Sequence, residues 1–237
     1  MVDTTKPTQG DQAAPGRAFS ETVVAFAACP DAVSLPSRPG EFNIRLARTH
    51  LQYSAINRLV RRMYAWRGYS VQPSTFGPND PHRMTLAVWT NDDVVATLTV
   101  GCDSPGGLLA DELYSQELAG LRRGGRVVCE VTRLAVHPEY SSGEMLNTLF
   151  HTALVFGQRR FQASDAVIEV NPRHVRFYER RFGFRQIGKL RQCQRVNAPA
   201  VLLHQTLDRL SVFGPGCDAF SSAPEEWGGN DPLAAAC

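Results

Sequence analysis

The sequence predicts an α/β fold, of the α+β kind, with a mixed central sheet flanked by helices. Two observations carry this prediction. An apolar, β-rich run from Val127 to Val136 is followed by a polar turn and then by a segment with helical periodicity. A second buried-type strand, Asp165 to Val170, follows that helix. Strand, crossover helix and strand favour parallel neighbours, whose carboxyl ends open a crevice for ligands.

Composition narrows the functional classes. The chain has 237 residues, a formal net charge of +2, 43% hydrophobic residues and 20% charged residues, all ordinary for a globular domain. Six cysteines form no CxxC pair, which argues against a disulfide framework or a zinc site. The start lacks the pattern of a signal peptide, and no apolar run is long enough to span a bilayer. We therefore expect a cytoplasmic protein with no metal, no nucleic-acid partner and no integral membrane segment.

Composition also divides the chain into three parts. Residues 1–40 and 211–237 are rich in small and polar residues, which predicts a flexible N-terminal arm and a flexible C-terminal tail. Residues 41–210 form the predicted domain.

Within the domain, periodicity and turn residues predict the elements in order. They are a strand over Glu41–Ala47, a helix over His50–Trp66 with Thr49 as N-cap, a hairpin of Arg83–Trp89 and Val94–Gly101, a short helix over Leu109–Leu121, the central strand and its helix, the strand Asp165–Val170, a helix over Arg173–Arg181 ended by Gly183, and two last strands, Phe184–Leu190 and Ala200–Leu207.

Two polar segments each leave two interpretations open. The exposed face of the first helix carries four arginines, Arg58, Arg61, Arg62 and Arg67. They form either a solvated face or a landing surface for an acidic carrier protein or a nucleotide phosphate. The loop before the hairpin brings Asn79, Asp80 and His82, which either bind an amine or carboxylate substrate or terminate turns.

The order of elements and two motifs resemble the GNAT acyltransferases. In that superfamily V-x-P ends a strand, and R/Q-x-x-G-x-G/A then wraps the pyrophosphate of coenzyme A. Val136 and Pro138 match, and Gly143 is the candidate first glycine, but Tyr140 and Met145 replace the other two positions. A second motif of that superfamily, an asparagine followed by Tyr-Glu and then Gly-Phe, is similar to a set of five residues here: Asn171, Tyr178, Glu179, Gly183 and Phe184.

A subgroup resemblance covers roughly Phe42 to Asp208. Glu130-x-x-Arg133-x-x-Val136 is similar to the E-x-x-R-x-x-V of acyl-homoserine-lactone synthases, and EVTRLAVHPE with FYERRFGF resembles the N-acyl amino acid synthases of the FeeM family. The resemblance implies a GNAT-like fold and the transfer of a long acyl chain from acyl carrier protein to the amine of an amino acid. One departure is Thr99, where such enzymes commonly carry an arginine.

The resemblance also implies no tightly bound cofactor. The co-substrate is acyl-phosphopantetheine on a carrier protein, or acyl-CoA. Two alternatives remain open: an acetyl-CoA-dependent N-acetyltransferase, and a non-catalytic module that binds an acyl thioester or a partner protein.

Acyl transfer to an amine needs a base, donors for the oxyanion and an acid for the leaving thiolate. Glu130 is the candidate base, because a carboxylate inside an apolar strand is costly unless it is paired. Its alternative role is an ion pair with Arg133 or with another arginine. Arg133 itself is the candidate substrate-binding residue. Strand alternation places these two on opposite faces unless a bulge intervenes. Tyr178 is the candidate acid, or a packed core residue.

The acyl donor has its own candidate residues. Backbone amides of Leu134, Ala135 and Val136 are expected to hold the thioester carbonyl, and the helix N-terminus at Ser142, Gly143 and Glu144 offers amides to a phosphate. Asn171 meets the pantetheine arm or caps the end of its strand. Glu169 is a secondary candidate.

Overall fold

The computed structural model describes residues 32–33, 43–70, 76–91 and 93–207. The predicted arm and tail lie outside these residues, except for Ala32 and Val33, which form a short edge strand. The boundaries at residues 40 and 210 stay predictions.

The described residues form a mixed sheet of nine strands, as the predicted fold class requires. The strands are β1 Ala32–Val33, β2 Asn43–Leu46, β3 Arg83–Thr90, β4 Asp93–Cys102, β5 Val128–Val136, β6 Asp165–Val170, β7 Arg185–Gln186, β8 Arg191–Cys193 and β9 Ala198–Thr206. Their order is β1-β2-β3-β4-β5-β6-β9-β7, and β8 pairs with β9. The β5 and β6 pair is parallel, as predicted, and the other pairs are antiparallel.

Within the described residues, four α-helices cover the two faces of the sheet: α1 His50–Trp66, α2 Asp111–Arg122, α3 Gly143–Phe161 and α4 Val175–Phe182. The predicted N-cap of α1 is confirmed, because the Thr49 hydroxyl accepts from the Gln52 amide and the Gln52 side chain returns a bond to the Thr49 amide. Helices α3 and α4 pack on one face, and α1 and α2 on the other. We call these the α3 side and the α1 side.

The centre of the sheet splits open. Strand β5 pairs with β6 only from Val128 to Val131, and then stays with β4 alone as far as Val136. At the same point β5 contains a bulge at Arg133, whose φ of 55° is left-handed and shifts the register against β4. The parting strands leave a gap at their carboxyl ends, the place where open α/β sheets bind ligands.

The predicted strand over Phe184–Leu190 is wrong beyond Gln186. Ile187 and Gly188 both donate to the Leu202 carbonyl, so the ladder is interrupted there. Gly188 passes so close to Leu202 and Tyr114 that a Cβ atom would lie within 2.7 Å of both. Phe184 packs in the core, but the later apolar residues that suggested a strand, Ile187 and Leu190, are exposed, Leu190 to 62%.

The helix predicted over Arg173–Arg181 also begins later than expected. Pro172–His174 forms a turn of 3₁₀ helix, and α4 starts at Val175. The missing proline amide and the Asn171 cap favour this tighter first turn. Gly183, with φ of 73°, ends the helix as predicted.

Candidate functional site

Glu130 lies on the α1 side of β5, just before the split, and is 2% exposed. Its two carboxylate oxygens accept hydrogen bonds from the backbone amides of Leu109 and Ala110, each at 2.8 Å. These amides precede the first turn of α2, so Glu130 anchors that helix to the sheet. Burial raises the pKa of Glu130 to about 7, because its effect exceeds the lowering by the two amides and by nearby arginines.

Arg133 reaches the same side of the sheet as Glu130 because of the bulge. Two consecutive residues, Thr132 and Arg133, therefore face the α1 side, and Leu134 faces the α3 side again. The Arg133 guanidinium donates to Asn57 Oδ1 on α1 and lies 5.1 Å from the centre of the Phe76 ring. Burial lowers its pKa. Glu130 takes its hydrogen bonds from backbone amides, so the contacts do not show the ion pair between the two that was the alternative interpretation.

The polar loop before β3 is held together at Asp80. Its carboxylate accepts from the His82 amide at 2.9 Å and from Arg83 Nη1 at 2.8 Å. Burial alone would raise the pKa of Asp80, but these hydrogen bonds bring it below its ordinary value. Asn79 and His82 are exposed. The contacts of Asp80 are those of a turn, and a substrate role for these three residues stays a prediction.

Three threonines form a row across the sheet on its α1 side. Thr85, Thr99 and Thr132 lie opposite one another on β3, β4 and β5. The Thr85 and Thr99 hydroxyls share a hydrogen bond of 2.8 Å. This row is buried and polar, which suits a site that must orient a polar substrate.

Glu169 and Arg195 complete the α1 side. Glu169 is fully buried on β6, beyond the split, and its Oε2 accepts from Arg195. Burial raises the pKa of Glu169 above its ordinary range, and the nearby Arg195 opposes that shift. Arg195 Nη1 also donates to the Leu109 carbonyl at 2.8 Å, on the peptide that Glu130 holds by its amides. The guanidinium therefore ties β6, the β8–β9 turn and the start of α2 together.

Arg195 is a residue that sequence reasoning missed. It lies in a turn among polar residues, where an arginine is usually solvated, and no local pattern marks it. Glu169 carried a detectable signal, because it is a carboxylate within an otherwise apolar strand.

Tyr178 lies on the α3 side, opposite Glu130. Its ring is fully buried and packs against Phe150 at 5.7 Å, Phe182 at 6.0 Å and Phe184 at 6.3 Å between ring centres. These contacts are those of a core residue. Its role as the acid stays a prediction, which requires the thiol to arrive from this side of the split.

The expected acyl-donor residues surround the gap. Leu134, Ala135 and Val136 are fully buried, and in the described part of the chain the β6-facing edge of this stretch pairs with no strand. Backbone groups on that edge are thus available to an acyl thioester. Asn171 lies where β6 ends, and its Oδ1 accepts from the Arg173 amide at 3.3 Å. That contact is a strand-end cap, and a role with pantetheine stays a prediction.

The start of α3 carries the residues expected to meet a phosphate. The Ser142 hydroxyl caps the helix by accepting from the Met145 amide at 3.1 Å. Glu144 is exposed. Arg181 of α4 reaches toward the Gly143 carbonyl at 3.5 Å, and a Cβ at Gly143 would lie 3.2 Å from its Nη2. The positively charged guanidinium of Arg181 therefore lies beside the first turn of α3.

Two absences concern the described residues alone. No group of three or more His, Cys, Asp or Glu side chains there could hold a metal ion. None of the helices described is long and apolar enough to cross a membrane.

Comparison with known proteins identifies the family. Residues 55–206 match the family model of the N-acyl amino acid synthase FeeM. The chain belongs to the FeeM family. The structure of FeeM, an N-acyl amino acid synthase from uncultured soil microbes, superposes with a TM-score of 0.67 at 26% identity, covering 73% of this chain and 95% of that one. No curated protein matches the chain.

More distant structures agree in fold. Ribosomal-protein-S5-alanine acetyltransferase from Vibrio fischeri gives a TM-score of 0.52 at 10% identity, covering 76% of this chain and 98% of that one. ElaA from Escherichia coli gives 0.51 at 12% identity, covering 68% and 98%. The GNAT-like fold and the assignment as an acyltransferase, both expected from the sequence, are confirmed.

Proposed function

We propose that this FeeM-family acyltransferase moves a long acyl group from the thioester of an acyl carrier protein to the amine of an amino acid. The observation that carries the proposal is the gap between β5 and β6, with Glu130 buried on one side and the start of α3 on the other. Each substrate then has its own side of the sheet. The acceptor occupies the α1 side and the donor enters from the α3 side.

The chemical steps follow from this placement. Glu130 takes a proton from the acceptor ammonium, and the free amine attacks the thioester carbonyl carbon. Backbone groups of Leu134 to Val136 stabilise the oxyanion that forms. The carbon–sulfur bond then breaks and the acyl group stays on nitrogen, which gives up its extra proton to solvent. The departing thiolate receives a proton, for which Tyr178 is the candidate donor, and solvent then returns a proton to Tyr178. The products are an N-acyl amino acid and the free phosphopantetheine thiol.

A carrier-protein donor suits the surface beside the gap. Arg176 and Arg180 are exposed one turn apart on α4, and Arg173 is exposed just before that helix. The next residue of α4, Arg181, contacts the first turn of α3 at Asn147. A carrier protein with an acidic surface would complement these charges while its phosphate reaches the α3 N-terminus.

The incomplete glycine motif supports the same donor. Phosphopantetheine has a single phosphodiester, whereas coenzyme A presents a pyrophosphate that the full motif wraps. Tyr140 and Met145 occupy two of the motif positions here. The arginines of α1 form the competing docking surface, on the other side of the sheet.

The test is a mass-spectrometric assay of N-acyl products. Purified protein receives a pool of amino acids with long-chain acyl carrier protein, the matching acyl-CoA, or acetyl-CoA. We expect product from the carrier protein at the highest kcat/KM. Product from acetyl-CoA alone would indicate an N-acetyltransferase, and no product from any donor would favour a non-catalytic module.

Charge reversal then locates the donor surface. R176E/R180E is expected to lower kcat/KM with acyl carrier protein and to leave transfer from acyl-CoA nearly unchanged. The matched variant R58E/R62E changes two exposed arginines one turn apart on α1. A carrier-specific loss in that variant alone would place docking on α1.

A further inference from the structure

Arg83 is a charged residue of the α1 side that the sequence did not single out. It is the first residue of β3, and it pairs in register with Gly101, which in turn pairs with Glu130. These three residues form one row across three strands. A Cβ atom at Gly101 would lie 3.7 Å from both Cγ and Nε of Arg83, so the arginine side chain extends over the glycine, in the direction of Glu130.

The guanidinium of Arg83 is only partly used. Its Nη1 donates to Asp80 at 2.8 Å, and its central carbon lies 4.6 Å from the centre of the Phe76 ring. In the part of the chain that the structure describes, neither Nε nor Nη2 of Arg83 donates a hydrogen bond. The side chain is 29% exposed, so a ligand can reach the fork that Nε and Nη2 form. Arginine forks of this kind bind carboxylates through two parallel bonds.

The surroundings add to the attraction for an anion. Arg133 lies 5.1 Å from the same Phe76 ring, so two guanidinium groups flank one aromatic side chain. Thr99 lies next to this row on β4, and its hydroxyl bonds to Thr85. Arg83 is two residues before Thr85 on β3 and faces the same side of the sheet.

An α-amino acid carries its amine and its carboxylate on one carbon. If the amine is bound at Glu130, the carboxylate lies one carbon away from it, and the Arg83 side chain extends along the row toward that point. We propose that Arg83 binds the α-carboxylate of the acceptor through Nε and Nη2, and thereby selects amino acids over amines that lack a carboxylate. This assignment rests on the proposed function, since it concerns the acceptor of that reaction.

Two matched ligands test the proposal without requiring turnover. N-dodecanoyl-phenylalanine carries the carboxylate, and N-dodecanoyl-phenethylamine is the same molecule without it. Binding of each is measured by calorimetry with the wild-type protein, R83Q and R83K. The control R45Q changes an exposed arginine that donates to Asn43 outside the site. Circular dichroism checks that each variant is folded. If R83Q does not fold, R83K, which keeps the charge, replaces it as the test variant.

We expect the wild type and R45Q to prefer the carboxylate ligand. R83Q should lose about 10- to 100-fold in affinity for that ligand, the effect of removing charge-assisted hydrogen bonds, and should bind the other ligand as the wild type does. R83K, without the fork, should fall between. Equal losses for both ligands, a preference that survives in R83Q, or no preference in the wild type would each overturn the proposal.

Two further measurements separate this proposal from the proposed function. A preference that persists in R83Q and disappears in R133Q assigns the carboxylate to Arg133 and overturns the role of Arg83. In parallel, phenylalanine and phenethylamine are offered as acceptors with long-chain acyl carrier protein. Failure of the wild type to acylate either one counts against the proposed function, while the ligand preference still decides the role of Arg83.

Discussion

Replacing Glu130 by Gln should change the pH dependence of stability in a calculable way. The folded protein raises the pKa of this carboxyl from an ordinary 4.5 to about 7, because it is buried between β5 and α2. A raised carboxyl pKa favours the folded state at low pH, where the group is protonated. That contribution is lost as pH rises from about 4.5 through 7, since ionisation of the buried group then costs free energy.

The size of the effect follows from the two pKa values. Between pH 5 and pH 8 the wild type should lose about 2.5 kcal/mol of unfolding free energy through Glu130 alone. Glutamine does not titrate, so E130Q lacks this loss. Its amide nitrogen must face one of the backbone amides at Leu109 and Ala110, which makes it less stable than the wild type at pH 5. The difference should shrink or reverse at pH 8.

Urea unfolding followed by circular dichroism at pH 5, 6, 7 and 8 measures this difference. Glu169 titrates in both proteins, so its effect largely cancels when the two curves are subtracted. An offset between wild type and E130Q that stays constant from pH 5 to pH 8 would refute the raised pKa and the reasoning built on it.

The same variant separates anchoring from catalysis. At pH 8 E130Q is expected to be folded, yet to transfer acyl groups at least about 100-fold more slowly, the usual contribution of a general base. Transfer at the wild-type rate by folded E130Q would restrict Glu130 to holding α2.

Three further predictions concern stability and are checked by chemical denaturation. R195M removes the guanidinium that pairs with buried Glu169 and should cost about 3 kcal/mol or more; a loss no larger than that of the exposed-site variant R45Q would contradict the pairing. G188A places a Cβ atom 2.6 Å from a neighbouring Cβ and should cost about 1–3 kcal/mol. G120A, in open space within α2, should instead stabilise by about 0.5–1 kcal/mol, and equal effects of the two glycine variants would show that packing at residue 188 is not tight.

Local patterns predicted most of the elements. Strand β6 and helix α1 begin and end where the sequence indicated, because each has a clear period and a distinct cap or turn at its ends. The strand predicted over 184–190 stops at Gln186, because Ile187 and Leu190 are exposed while Gly188 packs tightly, and residue spacing does not reveal which neighbours come close.

The site was only partly predictable for the same reason. The three-residue spacing of Glu130 and Arg133 raised the question of a bulge, and the structure contains one. The side of the sheet that Tyr178 faces depends on how α4 docks, which local sequence does not specify. The roles of Arg83 and Arg195 depend on partners on other strands and turns, so the residues next to them in the sequence do not indicate those roles.

The position of Arg195 has a consequence for the way the protein is made. It bonds to Leu109, 86 residues earlier in the chain, and to Glu169 on β6. On the ribosome, β6 leaves the exit tunnel before the turn that carries Arg195. Long-range contacts of this kind form late, because the intervening chain must first be ordered. A nascent chain would therefore complete its acceptor side only after the last hairpin has emerged, so that a fragment ending before residue 195 would be folded in part but unable to assemble this site.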